Sequence, residues 1–394
     1  MKVNLINLNL KIAMLFPITT LFQSIFPLLN KVFFGLLLIT FLPLYLNKIT
    51  AKRIIVGLFT LIIVIYDYFI TKEALYNFNE LFYFPFCILF FTYMSENYKK
   101  YKEFLIKDKI YILSIIFIWT FLVCISIFFD SSWVVEWGGA RYFGSFCKSV
   151  WRLAPTAVFI GTLDILLMIY YNKKYAIYLL IIPLFCFFMS GSRTYMVVGI
   201  ILFLIAWYYY VKNRTHFFLS IIPVGIVLFI FIINSSMMDK FISVSYNSDS
   251  YFDPLGTITS GRSIFWKADI DAYMEGTLMN KLLGNGFNLI YEVNYKAFGG
   301  LVWAHNDFIQ CLVSHGMLGL ILYLFTMINA IIKITKGRNY NFTFILVVLI
   351  WLFNAFFNMF YTYFCSMLCY PIILLLIRDG KRKFDFKNER ENEC

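Results

Sequence analysis

The sequence predicts an all-α polytopic membrane protein, with about twelve transmembrane helices and a large folded outer loop. Three observations carry that reading. Of 394 residues, 61% are hydrophobic and only 14% are charged, where a soluble globular domain carries about 25% charged residues. Mean hydropathy is +0.75. The apolar residues gather into runs separated by basic segments, as a bilayer solvent requires. The net charge of +12 is spread among those segments instead of clustering on one domain. The lipid bilayer is therefore the expected partner, and nucleic acid is not.

Taken in order, the candidate spans are residues 12–29, 32–46, 54–70, 81–94, 110–129 and 153–171, then 175–189, 195–211, 217–233, 317–332, 342–357 and 359–377. Lys2 and Lys11 precede an apolar stretch without a small-residue cleavage site, so the N-terminus reads as a first span and not as a removed signal. Several runs fall short of the roughly 20 residues that cross a hydrocarbon core, and aromatic ends such as Trp207 to Tyr210 extend them into the interface. The last two runs are continuous and are divided near Asn358. With the N-terminus inside, 23 of the 34 Lys and Arg fall on inner segments. The positive-inside rule then places both termini in the cytoplasm.

The resulting division is membrane helices 1–9 over residues 1–233, an outer loop over 234–304, helices 10–12 over 305–377 and a basic cytoplasmic tail over 378–394. Eight cysteines form no CxxC pair, so neither a zinc site nor a disulfide framework is expected. Only two ionisable side chains fall inside the runs. Asp67 lies near the outer end of its span, within reach of the interface, and Asp164 lies mid-span, where an interhelical hydrogen bond is the simplest expectation.

The polar residues concentrate on the outer face. Residues 130–152 form one loop, and the long loop carries Asp239, Asp249, Asp253, Arg262, Lys267, Asp269, Asp271, Glu275, Lys281, Glu292 and Lys296. Within it, Ile264, Phe265, Ala268 and Ala272 share one face of an amphipathic helix, and Gly284-Asn285-Gly286 reads as a turn. Asp269-Ile270-Asp271 spells D-x-D, but i and i+2 do not share a helix face, and no metal is expected.

Three arginines stand at the outer mouth. Arg193 follows Ser190-Gly191-Ser192, Arg141 lies in Ala140-Arg141-Tyr142-Phe143-Gly144 with Arg152 beyond it, and Arg262 follows Ser260-Gly261. Guanidinium forks bind diphosphate oxygens in bidentate fashion. His305 opens Trp303-Ala304-His305-Asn306-Asp307 and is the candidate general base; Asn306 and Asp307 are placed to orient it or a substrate hydroxyl. Gly316 and Gly319 make a small-residue face that another helix can approach; His315 is assigned no role.

His305-Asn306, nine residues, then Gly316-x-x-Gly319 resembles the H-[NSQ]-x9-G-x-x-[GTY] motif of the O-antigen ligase and polymerase superfamily. Leu282 to Phe287, Gly261-Arg262 with Trp266, and Ser192-Arg193 resemble the same family's landmarks in the same order. No glycine stands eleven residues after Arg141, Arg193 or Arg262, so the R-x10-G pattern of some polymerase loops is absent. The resemblance implies a Wzy-type polymerase of O-antigen or capsule, with a WaaL-type ligase as the alternative. Both are metal-independent integral membrane glycosyltransferases of the GT-C type without cofactor, in the bacterial cytoplasmic membrane. It implies an undecaprenyl-diphosphate-linked oligosaccharide as donor, a chain-length regulator as candidate partner, His305 as catalytic base, and Arg193, Arg262, Arg141 and Asn306 as diphosphate or glycan ligands. A flippase of the same lipid-linked sugars is the reading from another class; internal repeats and several buried charges would favour it, and the sequence shows neither.

Overall fold

The computed structural model describes residues 4–71, 75–77, 79–136, 139–211, 214–235, 262–336 and 342–380. Ser260 and Gly261, the acidic residues Asp239, Asp249 and Asp253, and the tail beyond residue 380 lie outside the described residues, as do Lys2, Lys212 and Arg338. The first half of the chain forms α1 (Leu5–Leu21), α2 (Leu29–Leu46), α3 (Ala51–Ile70), α4 (Glu80–Lys107) and α5 (Lys109–Ser126). A short hairpin, β1 (Trp133–Glu136) with β2 (Ala140–Phe143), leads into α6 (Val150–Tyr170). Then come α7 (Ala176–Leu179), α8 (Ile181–Met189), α9 (Arg193–Tyr210) and α10 (Arg214–Ile233).

The described part of the long loop folds as α11 (Arg262–Glu275), α12 (Leu278–Leu283) and α13 (Leu289–Phe298). The chain closes with α14 (Asp307–Thr335), α15 (Phe342–Phe357) and α16 (Phe364–Gly380). The first helix begins at Leu5 instead of Ile12, because the Asn4 side chain accepts the Ile6 and Asn7 amides and caps it there. The last apolar stretch breaks between Phe357 and Phe364.

This is an all-α polytopic membrane protein. Among the described residues six helices, α2, α3, α5, α6, α9 and α14, are long and apolar enough to cross a bilayer. Helix α3 shows the inside-out patterning of a lipid solvent. Its buried side carries Arg53, Thr60 and Asp67, while Ile54, Ile55, Leu58, Phe59 and Ile62 are exposed. Helix α6 is the axis of the bundle: 94% of its most apolar stretch is buried, and it packs against α1, α8, α9 and α16. Asp164 sits in this axis fully buried, and neither carboxyl oxygen has a hydrogen-bond partner among the described residues. The interhelical bond expected of it is therefore not formed.

Helix α14 holds the helices of the long loop to the bundle, packing against α3, α4, α11 and α12. Helix α11 turns a face inward that differs from the expected one. Phe265, Asp269 and Tyr273 are buried, and Ile264, Ala268 and Ala272 flank them half-buried. Contact with α13 explains the rotation. Asp269 lies beside the Asn294 amide, and the Tyr273 hydroxyl donates to the Lys281 carbonyl at 3.0 Å.

Candidate active site

His305 stands between two pinned peptides. Before it, the Ala304 amide donates to the Gln310 side chain at 3.1 Å, and the Ala304 carbonyl accepts the Trp266 indole N–H at 2.8 Å. After it, Asn306 is the N-cap of α14, its Oδ1 accepting the amides of Phe308 at 3.0 Å and Ile309 at 3.1 Å. The Asn306 Oδ1 is thus engaged in capping the helix. Between these anchors His305 is forced to φ +51°, a left-handed conformation that a non-glycine residue adopts only when its surroundings fix it.

The imidazole is half-buried and lies 6.4 Å, centroid to centroid, from each of the Trp151 and Trp303 rings. Its Nδ1 is enclosed, and the Asn358 amide lies beside the ring. Burial and the neighbouring Arg262 cation push its pKa down to about 3, against the opposing pull of Asn358. The ring is neutral at physiological pH.

Arg262, the first residue of α11, donates to the carbonyl of Phe357, the last residue of α15, and the Thr194 hydroxyl joins it there at 3.2 Å. A guanidinium at the negative end of a helix is well placed electrostatically. Burial lowers the Arg262 pKa to about 10; the Tyr363 phenol opposes that shift and Arg193 adds to it. Arg193, at the start of α9, also faces Tyr142 of β2. Arg152 reaches Tyr363 and Tyr83 from another side. Three chain segments far apart in sequence thus deliver His305, Arg262 and Arg193 to one cluster.

Two other candidates fall elsewhere. Successive strand residues face opposite ways, so Tyr142 points inward and Arg141 outward, where it pairs with Asp130 at 3.1 Å, both side chains being exposed. Asp307 turns into the bundle: its Oδ2 accepts the Tyr323 hydroxyl at 2.6 Å, which in turn accepts the Trp351 indole at 3.0 Å. In the D-x-D segment Asp269 is buried and Asp271 is exposed.

The glycine motif does more than admit a helix. Gly316 takes φ 67°, ψ −174°, which breaks α14. What approaches there is the C-terminal end of α12 together with the turn at Gly284. A Cβ on Gly316 would stand 2.5 Å from both the Leu282 carbonyl oxygen and the Gly284 amide nitrogen, and one on Gly284 would stand 2.1 Å from the Ser314 carbonyl oxygen. The break frees the Val313 carbonyl, and Asn285 satisfies it with its backbone N–H at 3.0 Å and its side-chain amide at 3.2 Å. Non-helical backbone at membrane depth persists only when its polar groups are paired in this way.

Sequence reasoning missed His315, whose Nδ1 lies 2.6 Å from the Asp67 Oδ2, with both side chains fully buried. Asp67 does not reach the interface, and a partner 248 residues away leaves no local signal. It also missed Asn358, although a buried amide interrupting an apolar run was a visible cue.

Residues 178–324 match the family model described as O-antigen ligase. No curated protein and no solved structure matches the chain. The matched segment contains Arg193, Arg262, His305 and both glycines of the α14 break, whereas Arg152 and Asn358 lie outside it. Across that segment the chain is similar to the O-antigen ligase family.

Proposed function

We propose that this protein polymerises repeat units of a surface polysaccharide, O-antigen or capsule, at the outer face of a bacterial cytoplasmic membrane. In this reading both termini are cytoplasmic and the donor is a glycan carried on undecaprenyl diphosphate. The observation that carries the proposal is Arg262, which stands beside the His305 imidazole and beside Arg193. A neutral base and two cations in one cluster match what glycosyl transfer from a lipid diphosphate demands.

The acceptor is a sugar hydroxyl of the next lipid-linked repeat. As its oxygen attacks the anomeric carbon, its proton passes to a ring nitrogen of His305. The new carbon–oxygen bond forms on the face opposite the diphosphate, with inversion. The old bond breaks with its electron pair going to the diphosphate oxygen. Arg193 and Arg262 stabilise that developing charge without a metal, as fixed cations in a water-poor site do. The aromatic rings of Trp151 and Trp303 beside the imidazole offer apolar faces for the sugars.

The test is a gel of surface polysaccharide from a deletion strain, complemented with the wild-type gene or with His305→Ala. Single capped repeats in place of a ladder in the deletion and variant strains support polymerisation. Long chains stranded on the lipid carrier point instead to a ligase. An unaltered ladder in the deletion strain overturns the family-based function and revives the flippase reading.

A further inference from the structure

We propose that Asp67 and His315 form a positioning pair for this site. Their hydrogen bond holds α14 in its broken form, keeps the Gly284–Gly286 turn seated in the break, and so keeps the outer helices in place over His305. The last part rests on the transfer reading above; the rest stands on geometry alone.

Neither residue belongs to the cluster around His305, yet Asp67 touches both sides of the joint. Its side chain meets His315 at 2.6 Å, one residue before the break. Its carbonyl accepts the Thr71 hydroxyl at 2.7 Å, and that hydroxyl oxygen accepts the Phe287 amide at 2.9 Å. Gly286 is pressed against the same place: a Cβ there would lie 2.5 Å from the Thr71 Oγ1. The end of α3 therefore grips the helix break through a side chain and the turn through a hydroxyl.

The His315 ring has little freedom to point elsewhere. It packs tilted against Phe84, centroids 4.1 Å apart, and meets the Phe287 ring edge-on at 5.8 Å. An isolated carboxylate or imidazole in hydrocarbon is costly, so each residue needs the other where it stands. Further ties run from the same end of the bundle into α13. Tyr76 donates its amide to the Asn288 side chain at 3.1 Å, Asn77 donates to the Tyr291 hydroxyl at 3.3 Å, and Tyr291 donates to Glu80 at 2.8 Å. From the turn, α12 continues to Lys281, which holds Tyr273 of α11, the helix that begins at Arg262. The chain of contacts from Asp67 thus ends at the cation beside the base.

The experiment is hydrogen–deuterium exchange on the full-length protein in lipid nanodiscs, comparing wild type with Asp67→Asn, His315→Ala and His315→Asn. The asparagine at 315 offers an amide donor near the place of the Nδ1–H. We expect peptides covering 282–291 and 311–318 to exchange about tenfold faster in His315→Ala. Asp67→Asn should loosen them less, His315→Asn should restore protection, and residues 150–170 of α6 should be unchanged. Wild-type exchange at 282–291 in His315→Ala overturns the proposal, as does equal loosening of α6, which marks a general loss of fold. For the transfer part, polymer output at equal protein level should fall roughly tenfold in His315→Ala and recover in His315→Asn; unchanged output overturns that part. A normal ladder in the deletion strain would refute the transfer reading and leave the exchange result standing.

Discussion

Gly284 and Gly316 meet backbone to backbone, and both take conformations in which ψ is near 180° at positive φ: φ 112°, ψ 174° for the first and φ 67°, ψ −174° for the second. That region is essentially closed to residues with a Cβ. The two glycines are one joint, made between the outer cap and a membrane helix.

Alanine at either glycine should therefore fail. Backbone strain alone costs about 1–3 kcal/mol, and the new methyl group has no room on the facing backbone. Gly316→Ala and Gly284→Ala should give little folded protein by size-exclusion chromatography in detergent. Gly35→Ala, where nothing lies within 4 Å of the added Cβ, should behave as wild type.

His305→Ala should lower transfer by about 10²–10⁴-fold, the usual contribution of a positioned base. The pH dependence has a definite sign. On the transfer proposal the working form is the neutral ring, and the pKa lowered to about 3 means that protonation begins only far below neutrality. With purified protein and lipid-linked donor, the rate should not decline through the ordinary histidine range near pH 6.5. A decline centred there that is lost in the variant would contradict the enclosed ring.

Arg262→Lys should not rescue Arg262→Ala. Lysine keeps one charge, but it has no second arm to hold the Phe357 carbonyl while facing a diphosphate. Both variants should accumulate unpolymerised lipid-linked repeats, measured by mass spectrometry of extracted lipids.

Asn306 and Arg141 should separate structure from chemistry. Asn306→Ala removes an N-cap worth about 1 kcal/mol. It should lower thermal stability, Asn306→Ser should recover it, and the pH profile of transfer should not move. Arg141→Ala removes an exposed ion pair, of the kind worth about 0–1 kcal/mol, and should leave both stability and polymer length near wild type.

The helices were legible because apolar periodicity is local: the runs that became α2, α3, α5 and α9 are visible in any short window. His305, Arg193 and Arg262 were legible as polar residues at the rims of such runs. Their neighbourhood was not. Trp151 reaches His305 across 154 positions of sequence, and Asn358 reaches it from the far side of α14. Gly316 was legible as a point of close approach, which α12 makes through Leu282, but its break in α14 was not: a small residue permits both close helix packing and positive φ. The outward placement of Arg141 was not legible because strand alternation, unseen in a segment of so few residues, turns its neighbour Tyr142 inward.

The shared acceptor at Phe357 carries a mechanical consequence. The closing carbonyl of α15 is held by a side chain from the cap and a hydroxyl from α9, so lifting the cap would strip one donor from a helix end. A carbonyl bared to an oily surround is penalised, whereas one that water or a phosphate-bearing headgroup can visit is not. The anchorage of α11 on α15 is thereby tied to the dryness of a single peptide group.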